Sequence, residues 1–106
     1  MSEIILNKEN FKEVVLQSKK PVVVDFFATW CGPCRAMGGV VSKLAAESDG
    51  RYAVGKIDID EQEELATEYG IMSVPTIKIF KDGEVVKTFV GITTAQEILK
   101  EVNPDR

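Results

Sequence analysis

The run Val22-Val23-Val24-Asp25-Phe26-Phe27 constrains this chain more than any other segment. It is β-branched and aromatic, and almost continuously apolar. That is the signature of a strand covered on both faces rather than one with a wet side. A turn over Ala28 to Gly32 follows it directly. Pro33 then suits the first position of a helix, where its missing N–H costs nothing. A strand of this kind needs partners on each side and a layer above and below, so the chain must build a layered sheet.

The rest of the sequence supplies those layers. Ile4 to Leu6 reads as a short strand, and Asn7 as the cap of a helix carrying Phe11, Val14 and Val15. The helix from Pro33 places Met37, Val40, Val41, Leu44 and Ala45 on one side and ends at Asp49-Gly50. Ala53 to Ile59 reads as a strand, and Glu61 to Tyr69 as a helix closed by Gly70. Pro75 to Phe80 and Glu84 to Val90 are strands joined by Asp82-Gly83, a strong hairpin signal. Thr94 to Val102 is a last amphipathic helix, capped by Thr93 or Thr94. The order β-α-β-α-β-α-β-β-α predicts an α/β protein with a mixed central sheet and helices on both faces. With no repeat, linker or low-complexity tract, residues 1–106 are expected to form one domain.

Composition removes several functions. Seventeen acidic against thirteen basic residues leave a net charge of −4 with no basic run, which argues against nucleic acid or an anionic membrane as partner. The longest apolar stretch, Pro21 to Phe27, falls far short of the roughly 20 residues a membrane helix needs. Met-Ser-Glu opens the chain without a signal-peptide core, so a cytoplasmic location is expected. There is no histidine, which excludes Ser–His–Asp and Cys–His catalysis and every histidine metal ligand. A pair of cysteines cannot alone make a four-thiolate zinc site, and no resident metal or other cofactor is expected.

Those two cysteines, Cys31 and Cys34, stand in Trp30-Cys31-Gly32-Pro33-Cys34 at the strand-to-helix junction. They are close enough to close a small disulfide ring. Unpaired backbone N–H groups and the positive end of the helix dipole favour a thiolate at Cys31, and the thiolate is the attacking species in disulfide exchange. Cys34, one turn on, is placed to attack the resulting mixed disulfide. Two blander alternatives stay open: a metal half-site completed by a second subunit, and a pair of inert thiols. Asp25 interrupts the apolar strand, and alternation puts it on the same face as Val23 and Phe27. Buried, it would be costly and its pKa raised; at a sheet edge it would simply reach water.

At these residues the chain resembles the thioredoxin family. Val24-Asp25-Phe26, Val74-Pro75-Thr76, Phe80-Lys81-Asp82-Gly83 and Val90-Gly91 all fall where that family has its counterparts, so the resemblance spans essentially the whole chain. Gly32-Pro33 between the cysteines separates it from glutaredoxins, which usually carry Pro-Tyr, and from protein disulfide isomerases, which carry Gly-His. The resemblance implies the thioredoxin fold and a general protein-disulfide reductase, recycled by a thioredoxin reductase and acting on disulfide-containing proteins as a monomeric electron carrier. Its only redox group would be the Cys31–Cys34 disulfide. Asp25 would sit behind the cysteine pair and help deprotonate Cys34, with Lys56 on the neighbouring strand as its charge partner; taken alone, Lys56 reads equally well as a solvated lysine. Pro75 alone predicts a trans bond, but the resemblance implies a cis Val74–Pro75 bond facing the cysteines, leaving the Val74 backbone to pair with an extended substrate. Trp30, Gly32, Pro33, Ile59, Val74, Pro75, Gly91 and Ile92 would form a shallow apolar surface around Cys31.

The chain also departs from the family. Where a proline commonly kinks the active-site helix there is Gly39, preceded by Gly38, and each costs about 1 kcal/mol against alanine in a helix interior. The same fold with a softer helix is expected. Phe27 stands where a tryptophan is common, which leaves Trp30 as the sole tryptophan. The last helix is expected to be short after Val102. Two other function classes compete: a binding module whose cysteines are incidental, and a metal-bridged dimer of two cysteine pairs.

Overall fold

The computed structural model describes residues 3–102; the ends of the expected 1–106 domain and the tail after Val102 lie outside the described residues. Among the described residues five strands form one mixed sheet: β1 Ile4–Ile5, β2 Val22–Phe27, β3 Ala53–Asp58, β4 Thr76–Lys81 and β5 Glu84–Val90, in spatial order β1-β3-β2-β4-β5. The helices are α1 Gly32–Ala46, α2 Glu63–Glu68 and α3 Ala95–Val102. This is the expected α/β thioredoxin fold.

Strand β3 runs parallel to both β1 and β2, while β4 runs antiparallel to β2 and to β5. Alternation of strand and helix predicts parallel neighbours, and only the last hairpin was expected to break the pattern. The reversal already begins at β4. Its consequence is functional, because the end of β2 and the start of β4 now lie at the same edge of the sheet, with Phe26 opposite Thr76.

The alternating side chains of the sheet feed two cores. On one face Val23, Val54, Ile77 and Ile79 pack with Met37, Val41 and Leu44 of α1 and Ile98 of α3. On the other, Val22, Val24, Phe26, Ile57 and Phe80 pack with Leu6, Phe11, Val15 and Leu65. Both faces of β2 are thus covered, as its unbroken apolar composition requires.

Several boundaries differ from expectation for local reasons. The segment after Asn7 is a short π-helical turn, Lys12–Leu16, with Gln17 N–H donating to the Lys12 carbonyl at 2.9 Å. Asn7 still caps its approach: Asn10 N–H donates to Asn7 Oδ1 at 2.9 Å, and Asn7 N–H to Asn10 Oδ1 at 2.8 Å. Helix α2 is shorter than the expected Glu61 to Tyr69. Pro33 is the second residue of α1, because Cys31 itself is the cap and Gly32 the first residue. Strand β4 begins at Thr76 rather than Pro75, since proline has no N–H for the ladder. The Asp82-Gly83 turn is as expected, with φ of 53° and 82°, the left-handed pair a two-residue hairpin demands. Thr94, not Thr93, caps α3: its hydroxyl accepts from Glu97 N–H at 3.1 Å. Helix α1 runs unbroken through Gly38 and Gly39.

Candidate active site

Four chain segments end at one edge of the sheet, and the sheet register explains why. Strand β2 stops at Phe27, leading through Ala28 to Cys31. Its neighbour β3 stops at Asp58, paired with Phe27, and Ile59 N–H then donates to the Phe27 carbonyl at 2.9 Å. Strand β4 starts at Thr76, placing Val74-Pro75 at this edge, and β5 ends at Val90 opposite Thr76, delivering Gly91 and Ile92. Gly91 N–H donates to the Pro75 carbonyl at 2.8 Å, with Gly91 at φ 90°, a conformation that favours glycine.

Cys31 and Cys34 are joined in a disulfide, with Cα atoms 5.3 Å apart. Both are buried, packed with Ala28 against Phe27, Ile59 and Val74. Cys31 occupies the N-cap of α1 in extended conformation, and its Sγ accepts the Cys34 N–H at 3.1 Å. A backbone donor aimed at sulfur stabilises negative charge there, and the helix dipole adds to it. The Val74 carbonyl oxygen lies 3.7 Å from Cys31 Sγ, and the Val74–Pro75 bond is cis. The expected cis bond is thus present, and Val74 is the residue of the two that packs against the cysteine pair.

Asp25 is buried at 1% exposure in the middle of the sheet, which removes the edge alternative. Its neighbours in register are Lys56 on β3 and Ile77 on β4. Register pairing puts Asp25 on the sheet face covered by α1, the helix that carries Cys34. Among the described residues its Oδ1 has no hydrogen-bond partner. Burial raises its pKa from 3.8 to about 7; Lys56 pulls it down and Glu3 pushes it up. Lys56 lies opposite Asp25, but its ammonium is 3.6 Å from a Glu3 carboxylate oxygen and 4.8 Å from the centre of the Phe27 ring. Lys56 therefore acts on Asp25 through its field, without an ion pair between them among the described residues.

The expected apolar surface divides into two parts. Trp30, Gly32, Pro33 and Ile92 are exposed; Ile59, Val74 and Gly91 are half-buried, and Pro75 is buried. Trp30 is 70% exposed, and its ring N–H donates to Asp60 Oδ2 at 2.9 Å. Met72, two residues before Val74, is 95% exposed. Sequence reasoning missed Glu3, Asp60 and Met72. The first two matter through contacts made far along the chain, and an isolated loop methionine carries no pattern. No group of three or more cysteine, aspartate or glutamate residues that would hold a metal occurs among the described residues, and none of their helices is long and apolar enough to cross a membrane.

Comparison with known proteins adds an independent line. The family model described as Thioredoxin matches residues 2–104. A thioredoxin of Chlorobaculum thiosulfatiphilum is 41% identical over 95 residues, covering 90% of this chain and 88% of its own. A thioredoxin of Rickettsia felis is 42% identical over 94 residues, covering 89% and 90%. The chloroplastic M-type thioredoxin of Chlamydomonas reinhardtii is 43% identical over 97 residues, covering 92% of this chain and 69% of its own.

Proposed function

Because the chain belongs to the thioredoxin family of protein-disulfide oxidoreductases, we propose that it is a general protein-disulfide reductase whose electrons come from a separate thioredoxin reductase. The observation that carries this reading is the Cys31–Cys34 pair at the N-terminus of α1, with the Val74 carbonyl beside Cys31.

The chemistry follows from that placement. In the reduced protein the Cys31 thiolate attacks one sulfur of the substrate disulfide. A Cys31–substrate bond forms, the substrate S–S bond breaks, and the first substrate thiolate leaves. Cys34 then gives its proton to the Asp25 carboxylate and attacks Cys31 Sγ. The Cys31–Cys34 bond forms, the mixed disulfide breaks, and the second thiolate departs. Two electrons reach the substrate, and its two thiolates then take up protons, one from solvent and one returned through protonated Asp25. A base whose pKa lies near ambient pH suits the second step, and Lys56 sets the field in which that base works. The extended backbone of the substrate pairs with Val74 above Pro75. Trp30, Gly32, Pro33, Ile59, Gly91 and Ile92 supply apolar contact around the pair. The same reading makes residues 1–106 one domain acting as a monomer in a reducing compartment, the cytoplasm, where the close cysteine pair stays available as thiols between turns.

Reduction of a model protein disulfide by the pre-reduced protein tests this directly. Wild type should turn over fast, Cys31→Ser should not react, and Cys34→Ser should accumulate a trapped mixed disulfide. A wild type no faster than its serine variants would leave the fold as a binding scaffold and end the reductase reading.

A further inference from the structure

Glu3 stands out once the sheet register is followed across three strands. Ile5 pairs with Lys56 and Lys56 with Asp25. Side chains alternate along a strand, so Glu3, two residues before Ile5, shares a face with all three. That face is covered by α1, and α1 reaches down to Glu3: the Ser42 hydroxyl donates to Glu3 Oε1 at 3.0 Å. The same oxygen lies 3.6 Å from the Lys56 ammonium. Both partners of this ion pair are largely shielded, their side chains 25% and 18% exposed, so screening by solvent is incomplete. One cation thus stands between two carboxylates. It pairs with the outer one, and the inner one, Asp25, keeps an oxygen with no hydrogen-bond partner among the described residues.

We infer that Glu3 is a positioning residue: it draws the Lys56 ammonium away from Asp25 and so sets the pH at which Asp25 exchanges its proton. With Glu3 ionised, Lys56 is held toward the start of β1 and only part of its field falls on Asp25. With that charge removed, Lys56 turns its full field on Asp25, favours the carboxylate and makes it a weaker base. The direction agrees with the separate influences on Asp25, which Lys56 lowers and Glu3 raises. The charged groups acting on Asp25 are Lys56 from β3 and Glu3 from the segment before β1; Ile77 of β4 carries no charge, and Cys34 of α1, the helix over this face, is held in the disulfide. The inference gains its catalytic meaning from the proposed proton transfer to Asp25, but its test does not depend on it.

The probe is the carboxyl-carbon NMR titration of Asp25 in the oxidised protein, where the cysteines do not titrate. Glu3→Gln keeps the size of the side chain and an oxygen for the Ser42 hydroxyl. It should lower the Asp25 midpoint by more than the roughly half a pH unit that losing one partly screened charge two strand spacings away gives by itself. In a Lys56→Met background the same substitution should move the midpoint by clearly less. An unchanged midpoint in Glu3→Gln, or an equal shift with and without Lys56, overturns the inference. The pH profile of turnover supplies the second readout. Its acid limb should follow the Asp25 midpoint. A moved midpoint with an unmoved limb upholds the placing of Lys56 by Glu3 and instead overturns Asp25 as the proton acceptor.

Discussion

Asp25 and Lys56 face each other in register on adjacent strands, yet the Lys56 ammonium is paired with Glu3, 3.6 Å away, and not with Asp25. The carboxyl is left buried with its cation turned elsewhere. Such a group is costly to ionise, and the cost is a property both of stability and of chemistry.

Stability should therefore fall as pH rises through the Asp25 range. The folded pKa, about 7, lies above the ordinary 3.8. Below 3.8 both states hold the proton and Asp25 contributes nothing. Between 3.8 and 7 the folded state keeps a proton that the unfolded chain has released, so stability declines with pH and levels off above 7. Each unit of separation is worth about 1.4 kcal/mol, giving a decline on the order of 4 kcal/mol. Asp25→Asn should abolish this slope in denaturant unfolding of the oxidised protein. It should make the protein more stable than wild type at pH 8 relative to the difference at pH 4. A wild-type curve flat between pH 4 and 8 would contradict the burial argument.

The α1 helix carries two glycines that nothing in the packing requires. A Cβ at Gly38 or Gly39 would meet no atom within 4 Å, and both sit within the unbroken helix. Gly38→Ala and Gly39→Ala should each stabilise the protein by about 1 kcal/mol, raising Tm by roughly 4–8 °C for a domain of this size. Gly83→Ala is the contrast. It would sit at φ 82° with its Cβ 2.9 Å from the Leu16 carbonyl oxygen, and should destabilise. Calorimetry of the three variants gives the comparison.

Much of this was legible beforehand, for reasons tied to particular residues. The run Val22 to Phe27 announces a doubly covered strand because local composition alone decides it. Asp82-Gly83 announces the hairpin because two left-handed residues in succession admit few other sequences. The cysteine pair announces redox chemistry through spacing and a helix start. What escaped was set by distance along the chain. Glu3 meets Lys56 and Ser42 only after β1 has added to β3, and Asp60 meets Trp30 only across the β3 turn. The antiparallel entry of β4 depends on how the chain crosses after α2, which no periodicity encodes. The π-helical turn at Lys12–Leu16 carries the same apolar spacing as the α-helix expected there.

Trp30 should report the redox state of the pair through fluorescence. It is the sole tryptophan, and it adjoins Cys31 in the chain. Its ring N–H is held by Asp60 at 2.9 Å, so the indole has a fixed position despite its exposure. Reduction of the neighbouring disulfide should change the emission intensity. Asp60→Ala removes the acceptor and frees the ring. The redox-linked change should then shrink, and KM for a protein disulfide should rise more than kcat falls, because an anchored aromatic contributes to docking. An identical redox response in Asp60→Ala would mean that the hydrogen bond does not position the indole.

Gly91 joins the docking edge to the rest of the sheet. Its N–H donates to the Pro75 carbonyl, and its φ of 90° lies where any side chain is strained. A Cβ there would meet open space, so the penalty of Gly91→Ala is conformational and not steric. Left-handed backbone costs an ordinary L-residue about 1–2 kcal/mol. The chain can relieve it only by rotating away from Pro75, which releases the Val74-Pro75 segment beside Cys31. The expected outcome is a modest loss of stability with a larger rise in KM for a protein disulfide, while a small disulfide that needs no backbone pairing is reduced at nearly the wild-type rate. Equal losses with both substrates would place the effect on the cysteine pair itself and not on docking. Steady-state kinetics with the two substrates side by side decides between these.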